Sequence, residues 1–291
     1  MSDADVRKIQ PNLIISSCYQ STWEKFFRFF DVEPRVIQPN LKYDKLKMMD
    51  INKIVELCDE KTIGIVGILG NHYNGAYDPI STINSIITDV NLKFGYQIGI
   101  HVDAASGGFV EPFRCCSTNF NSNNNHNNIP VATWDFRLEH VLSINASGHK
   151  FGESSCGIGW IVFRSHQGLG EYVSTDLAYL GGSSCDSMAL NFSRPASSLY
   201  SQYYKMLKLG RQGYTFKLQH QFQIASTIRD HLQAMKVGVG SEVAVPVFEI
   251  LDSGGELPVV AARVNPQLLK DSQLTLTDYD LQRKLGVKYG W

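Results

Sequence analysis

The sequence predicts an α/β protein in which helices cover both faces of a mainly parallel sheet. Apolar runs of strand length alternate with segments whose apolar residues recur at helical spacing, an alternation typical of parallel sheets. Residues 62–69 are almost continuously apolar, as expected of a strand that is buried on both faces. The chain has 291 residues, of which 43% are hydrophobic and 19% charged, and this is enough for one large domain and part of a second.

The first predicted strand spans residues 12–15 and leads through Gln20 into a helix. Four aromatic residues of this helix recur at positions i, i+3, i+4 and i+7, so that they share one helix face. They are Trp23, Phe26, Phe27 and Phe30. Pro34 limits the helix, and residues 35–37 form the second predicted strand.

Asp50 occupies the N-cap position of the next predicted helix. The strand at 62–69 leads into a loop rich in glycine, asparagine and tyrosine, and isoleucines from Ile83 onward indicate a further helix. Residues 97–102 form the next predicted strand. Ligands of parallel sheets bind beyond the carboxyl ends of the strands, so the residues that follow each strand are the candidates for a site.

The second half begins with a short apolar run that ends near Lys150, and residues 158–163 form another predicted strand. A helical stretch that begins at about residue 194 is weakened by its glycines. A longer helix is predicted at about 216–235.

Short strands at 247–251 and 259–264 follow the long helix and indicate an α+β unit. We therefore expect a large domain at residues 1–213 and an incomplete small domain at residues 214–291. An asparagine-rich insert at about 115–130 interrupts the large domain. It has too few apolar side chains to fold, so it is predicted to loop out as a disordered segment.

Composition and charge argue against several classes of partner. A formal net charge of −1 gives no electrostatic reason to expect nucleic acid or an anionic membrane surface. No apolar run approaches the roughly 20 residues of a membrane span, and the polar N-terminus lacks the apolar core of a secretory signal. The six cysteines form no Cys-x-x-Cys pair, which favours reduced thiols in a cytoplasmic protein.

Lys150 follows three small or polar residues at the end of a predicted buried strand. A lysine amine in an enclosed, partly apolar pocket loses proton affinity and becomes a nucleophile that can form a Schiff base. On this segment alone, an ordinary lysine at a strand end is an equal alternative.

Asp103 decides between these interpretations. It ends an apolar strand, and the small residues after it would let a flat ring lie against the backbone. A Schiff-base lysine and an aspartate that faces a pyridinium nitrogen are the two requirements for holding pyridoxal phosphate. Together, Asp103 and Lys150 favour this cofactor, although Asp103 in isolation would be read as a cap or turn residue.

Other kinds of site have little support. His101 and His149 suggest a metal, but no third ligand has helpful spacing and no His-x-x-x-His pair occurs. Motifs of nucleotide-binding loops and of serine hydrolases are missing. His149 is better placed to contact a phosphate or a ring, and the alternative is a buried, hydrogen-bonded histidine.

Four motifs in order give the sequence a specific resemblance to a known family. Together they resemble the glutamate decarboxylases, which are group II pyridoxal-phosphate decarboxylases of the aspartate-aminotransferase-like fold (fold type I). The motifs are HVDAASGGF at 101–109, WDFR at 134–137, SGHKFG at 147–152 and NFSRP at 191–195. The likeness runs from about Pro11 to the last residue, interrupted by the asparagine-rich insert.

The resemblance implies a carboxy-lyase that uses pyridoxal 5'-phosphate to convert L-glutamate to 4-aminobutanoate and carbon dioxide. Lys150 resembles the Schiff-base lysine of the family, and Asp103 resembles the partner of the ring nitrogen. His149, directly before the lysine, completes the implied catalytic set.

The resemblance also implies a set of cofactor contacts. Ala105 and Gln20 would lie on either side of the ring, and Ser147 would lie with His149 near the phosphate. Ser193 resembles a residue that reaches the phosphate of the neighbouring subunit, which implies at least a homodimer in the active protein.

The sequence departs from the family in two respects. His72 stands where the family usually carries a threonine, and it is bulkier and titratable, so it is expected to crowd the cofactor or to contact it differently. Both ends of the family pattern are expected to be missing, and with them phosphate-binding serines and substrate contacts. Two alternatives therefore stay open: an inactive remnant that at most binds cofactor or a full-length relative, and a decarboxylase of another amino acid.

Overall fold

Most of the chain, but not all of it, has a described structure. A computed structural model describes residues 10–39, 48–114, 133–166, 193–238, 244–252, 254–271 and 277–290, and two short strands at 175–176 and 186–187. The predicted asparagine-rich insert at about 115–130 lies outside the described residues.

Six strands form one sheet in the order β2-β1-β3-β4-β5-β6. All neighbours in this sheet are parallel except β6, which runs antiparallel to β5. The prediction of a mainly parallel α/β sheet is therefore confirmed. The strands are β1 (Asn12–Ser16), β2 (Glu33–Ile37), β3 (Thr62–Ile68), β4 (Gly99–Asp103), β5 (Val141–Ser147) and β6 (Gly159–Phe163).

Seven α-helices accompany the strands in the described part of the chain. They are α1 (Ser21–Phe30), α2 (Ile54–Leu57), α3 (Ile80–Phe94), α4 (Glu111–Arg114), α5 (Ser197–Ala234), α6 (Pro266–Asp271) and α7 (Asp278–Tyr289). Asp50 caps the short 3-10 turn before α2, where its carboxylate accepts from the backbone nitrogen of Asn52. None of the helices described is both long and apolar enough to cross a membrane.

Helices pack against both faces of the sheet because successive side chains of a strand point to opposite faces. On β1, Leu13 and Ile15 pack in one core cluster with Phe27 of α1. Ile14, which lies between them, packs in a second cluster with Ile83 and other residues of α3. The predicted two-sided covering of the sheet is thus present at its centre.

Helix α5 spans 38 residues and is interrupted at Gly210, whose backbone has φ 54° and ψ −170°. The sequence predicts two helical stretches there, and the structure joins them into one kinked helix. The predicted boundary at residue 213 falls within this helix, and the division into two domains stays a prediction.

Beyond α5, the described chain contains antiparallel strand pairs that are short. β9 (Lys236–Val237) pairs with β10 (Val245–Pro246), and β11 (Phe248–Ile250) pairs with β12 (Ala262–Val264). A further short pair, β7 (Thr175–Asp176) and β8 (Asp186–Ser187), precedes α5.

The segment between β11 and β12 packs on the large helix α5 and on the chain after β4. Leu257 of this segment packs with Val110 and Leu218 in a third core cluster. The β11–β12 segment is therefore held against α5 and against the chain that follows β4 by buried apolar contacts.

Candidate active site

The carboxyl ends of the central strands open into a cavity of about 590 Å³. It brings together seven of the eight residues that the sequence predicts for the site. They are Gln20, His72, Asp103, Ala105, Ser147, His149 and Lys150. Ser193 is exposed and does not line this cavity, so its predicted contact with a neighbouring subunit stays a prediction.

Asp103 is the last residue of β4 and is only 8% exposed. Its Oδ1 accepts from the backbone nitrogen of Ala105 at 3.1 Å and from Nδ2 of Asn145 at 3.2 Å. Its Oδ2 accepts from Nε1 of Trp23 at 2.8 Å. A carboxylate offers about four acceptor positions, so these three donors leave one position on Oδ2 for a donor in the cavity.

Glycines after Asp103 allow the chain to turn closely beneath the strands. A Cβ atom at Gly107 would lie 2.6 Å from the carbonyl oxygen of Leu69, and one at Gly108 would lie 2.7 Å from Cβ of Ala146. Both distances are too short for a side chain, so the turn requires glycine. The small residues after Asp103 that the sequence analysis identified therefore let the chain lie close to the strand ends that line the cavity.

Lys150 lies in the turn after β5, three residues beyond the end of the strand at Ser147. Its Nζ donates to Oγ of Ser106 at 3.2 Å, across the gap between the ends of β4 and β5. Backbone bonds close the turn, with the nitrogen of Glu153 donating to the carbonyl of Lys150 at 3.0 Å. The amine is thereby directed toward the strand end that carries Asp103.

The remaining predicted residues line the same cavity and differ in their exposure. Gln20, His72 and His149 are exposed, and Ala105 and Ser147 are half-buried. The ring of His72 contacts that of Tyr73 in a tilted arrangement, with 4.1 Å between centroids and 35° between the ring planes. Whether His72 contacts a cofactor stays a prediction.

Several residues that line the cavity are not predicted as site residues from the sequence, among them Trp23, His101, Ser106 and Asn145. The helical spacing of Trp23 predicts only an apolar face of α1, Asn145 carries no prediction, and His101 is interpreted only as a candidate metal ligand. The available signal was strand alternation, since polar side chains at positions i and i+2 of one strand share a face. His101 and Asp103 on β4 show this spacing, and Asn145 lies opposite Asp103 in the strand register.

His101 is held between two polar groups of β5. Its Nδ1 lies 2.7 Å from Oγ of Ser143, and its Nε2 lies 2.9 Å from Oδ1 of Asn145. Burial lowers the pKa of His101, and the charge of Asp103 and the bond to Asn145 oppose this effect only in part. The imidazole is therefore neutral at neutral pH.

Comparisons with known proteins agree with this geometry. A family model described as "Pyridoxal-dependent decarboxylase conserved domain" matches residues 2–244. Glutamate decarboxylase of Lactococcus lactis subsp. lactis (strain IL1403) is 36% identical over 287 residues, and glutamate decarboxylase alpha of Listeria monocytogenes serovar 1/2a is 38% identical over 287 residues. These alignments cover 99% of this chain but 54% and 55% of the relatives, so the chain spans about half their length.

A solved structure gives the same result for the fold. Glutamate decarboxylase of Lactobacillus brevis CGMCC 1306 superposes with a TM-score of 0.80 at 34% sequence identity. The match covers 99% of this chain and 58% of that chain. The predicted aspartate-aminotransferase-like fold is thereby confirmed.

Proposed function

The chain belongs to the pyridoxal-dependent decarboxylase family, and we propose that it serves the decarboxylation of L-glutamate to 4-aminobutanoate with pyridoxal 5'-phosphate. The observation that carries the proposal is the convergence of Lys150 and Asp103 on one cavity. The glutamate decarboxylases at 36–38% identity support glutamate as the substrate.

The residues present fit this cofactor. Asp103 keeps one acceptor position on Oδ2, which suits the protonated nitrogen of a pyridine ring. Lys150 would hold the cofactor covalently through Nζ, and Ala105 and Gln20 would lie on the two faces of its ring. Ser147 and His149, which line the same cavity, would lie toward the phosphate.

When bound, pyridoxal phosphate supplies an electron sink for the electron pair that remains when the carboxylate leaves as carbon dioxide. The protein's contribution is to fix charges around that sink. Asp103, buried and held by three donors, places its carboxylate at the end of β4. The hydroxyl of Ser106 accepts from Lys150 Nζ and can hold that amine, with a proton, beside the cavity.

The direct test is to mix the 291-residue chain with pyridoxal phosphate, reduce with borohydride and map the labelled peptide. We expect a phosphopyridoxyl group on Lys150, and its loss in Lys150→Ala. Asp103→Asn should weaken cofactor binding at least tenfold. Asp89→Asn is the matched control, because Asp89 is an exposed aspartate on α3, and it should leave cofactor binding unchanged. A folded sample without the adduct on Lys150 contradicts the cofactor assignment.

Release of labelled carbon dioxide from L-glutamate that carries the label in its α-carboxyl group then tests the reaction. Cofactor binding without release would favour a non-catalytic remnant that binds cofactor or a full-length relative. Release from another amino acid in a substrate panel, but not from glutamate, would favour the decarboxylase of different specificity.

We further propose that the active form is at least a homodimer in the cytoplasm. An apolar stripe on the first half of α5 supports association, because its side chains are more than half exposed. It comprises Leu199, Tyr200, Tyr203, Tyr204 and Leu207. Sedimentation equilibrium of the full chain and of Leu207→Ser tests the oligomer, and a monomer at micromolar concentration contradicts it.

A further inference from the structure

A continuous row of polar contacts runs across strands β5 and β4 and ends on the catalytic aspartate. Ser143 contacts Nδ1 of His101, Nε2 of His101 contacts Oδ1 of Asn145, and Nδ2 of Asn145 contacts Oδ1 of Asp103. The strand register creates the row, because His101 pairs with Ser143 and Asp103 pairs with Asn145.

The direction of each hydrogen bond follows from the carboxylate at the end of the row. An ionised carboxylate only accepts, so Asn145 must present its NH₂ group to Asp103. Its carbonyl oxygen then faces His101, and Nε2 of that ring must donate. In a neutral imidazole the other nitrogen accepts, and the hydroxyl of Ser143 donates to it. The row thus specifies the Nε2–H tautomer of His101.

Trp23 closes the row from the opposite side. Its Nε1 donates to Oδ2 of Asp103 at 2.8 Å, while its ring meets the ring of His101 edge-on with 5.6 Å between centroids. The two oxygens of Asp103 are therefore fixed by donors from different elements, α1 and β5. Burial of His101, which lowers its pKa, agrees with a ring that stays neutral.

We propose that His101 and Asn145 are positioning residues: His101, as the Nε2–H tautomer, orients the Asn145 amide, which turns the Asp103 carboxylate so that its vacant acceptor position faces the cavity. This inference rests on the proposed function, because that acceptor position serves the ring nitrogen of the cofactor. His101 itself has both ring nitrogens engaged and does not exchange a proton with the substrate.

The tautomer can be measured without cofactor. In the ¹⁵N-histidine-labelled chain at pH 7.5, the resonances missing from His101→Gln identify His101, and we expect an unprotonated Nδ1 and a protonated Nε2. The reverse tautomer, or an imidazolium at that pH, overturns the proposal. This measurement uses the unsubstituted protein and does not depend on the folding of any variant beyond the one used for assignment.

Two substitutions separate the nitrogens of His101. In His101→Gln the side-chain amide nitrogen occupies the place of Nε2, so the hydrogen bond to Asn145 is kept. In His101→Asn the shorter side chain places its amide nitrogen only where Nδ1 was, so the hydrogen bond to Asn145 is lost. The indole N–H resonance of Trp23, assigned with Trp23→Phe among the four tryptophans, reports on Oδ2 of Asp103 in the apo chain. We expect it to move in His101→Asn and in Asn145→Leu and to stay near its original place in His101→Gln.

Cofactor affinity provides the second readout. We expect the Kd for pyridoxal phosphate to rise about tenfold in His101→Asn and Asn145→Leu and less than threefold in His101→Gln, because one hydrogen bond to a charged group is at stake. Equal affinity and an unmoved Trp23 resonance in all three variants overturn the proposal. If the unsubstituted chain does not bind pyridoxal phosphate, the proposed function and the role of His101 and Asn145 toward the cofactor are refuted. The tautomer of His101 and the indole resonance of Trp23 then still decide whether the row of polar contacts orients Asp103.

Discussion

The side-chain amide of Gln202 donates to the carbonyl oxygen of Gly152 at 2.9 Å, two residues beyond Lys150. Tyr214 donates its hydroxyl to the same oxygen at 3.0 Å. The kink at Gly210 lies between the two donors, so both halves of α5 reach one acceptor. A helix that is distant in sequence thereby holds the turn that carries Lys150.

The two donors to Gly152 should be energetically coupled. Either Gln202→Leu or Tyr214→Phe leaves one donor on the carbonyl, whereas the double variant leaves a buried acceptor without a partner among the described residues. An unsatisfied buried acceptor costs about 1–3 kcal/mol, so the loss in the double variant should exceed the sum of the single losses by about 1 kcal/mol. Urea unfolding of all four proteins measures the coupling.

Gln212→Leu is the matched control for this cycle, because Gln212 is an exposed residue of the same helix. Its free energy of unfolding should change by less than about 0.5 kcal/mol. Simple additivity of the two single variants would show that the kinked helix does not act as one clamp on Gly152.

The kink itself should depend on glycine for conformational reasons alone. Gly210 has φ 54° and ψ −170°, and Gly95, which ends α3, has φ 71° and ψ 22°. A Cβ atom at either position would meet nothing within 4 Å. Alanine is strained in the left-handed helical region of Gly95 but is more strongly disfavoured in the region of Gly210, which is nearly exclusive to glycine.

We therefore expect Gly210→Ala to lower the free energy of unfolding by about 2–3 kcal/mol and Gly95→Ala by about 1 kcal/mol. Chemical denaturation monitored by circular dichroism gives both values. Equal losses at the two positions would mean that the backbone at Gly210 straightens to accommodate alanine.

Arg114 compensates a buried carboxylate. It lies 2.9 Å from Glu111, which is 1% exposed, and its guanidinium also donates to the carbonyl oxygen of Gly255. Arg114→Met should cost about 3–5 kcal/mol, because it leaves the charge of Glu111 buried without this partner. Arg137→Met is the control, since Arg137 pairs with Asp135 at the surface and should cost less than about 1 kcal/mol.

The cost of Arg114→Met should depend on pH in a defined direction. Burial raises the pKa of Glu111, so folding favours the protonated carboxyl. The stability that protonation of Glu111 provides is lost as the pH rises through that raised pKa, where the carboxyl becomes charged. The deficit of the variant should therefore be smaller at pH 5 than at pH 8. A deficit that does not vary with pH would show that the contact of Arg114 with Gly255, and not the charge of Glu111, dominates.

Local patterns in the sequence predicted the parts of the site that strand ends define. Asp103 and Lys150 were found because parallel sheets place ligands beyond their carboxyl ends, and that rule needs no knowledge of which strands are neighbours. The contact of Trp23 with Asp103 could not be predicted from such local patterns. The helical spacing of Trp23 assigns it to an apolar face, yet its Nε1 reaches a carboxylate 80 positions away. Contacts of this kind depend on strand order and register.

The same limit applies to α5. The glycines predicted a weak point in the helix, which the structure places at Gly210. The partner of each half could not be predicted, because the turn at Gly152 is brought to the kink by the packing of the whole sheet. Gln202 and Tyr214 carry no local signal that separates them from other polar residues on a helix.

Asp59 links three neighbouring strands through its carboxylate. It accepts from Nδ2 of Asn12 on β1 at 2.9 Å, from the guanidinium of Arg35 on β2 at 2.6 Å, and from the backbone nitrogen of Lys61 before β3 at 2.9 Å. Burial raises the pKa of this carboxyl, but the hydrogen bonds and the charge of Arg35 outweigh it and lower the pKa to about 2.

The contribution of Asp59 to stability should therefore be present above its unfolded pKa of about 3.8 and should be lost as the pH falls through about 2. Because the carboxylate is partly exposed and screened by solvent, we expect Asp59→Asn to cost only about 1 kcal/mol at pH 7. The difference from the unsubstituted protein should shrink below pH 4 and vanish near pH 2. Urea unfolding across this range, with the exposed neighbour Glu60→Gln as control, measures it. A deficit of the same size at pH 3 and pH 7 would mean that the amide and guanidinium contacts at the strand ends persist without the charge of Asp59.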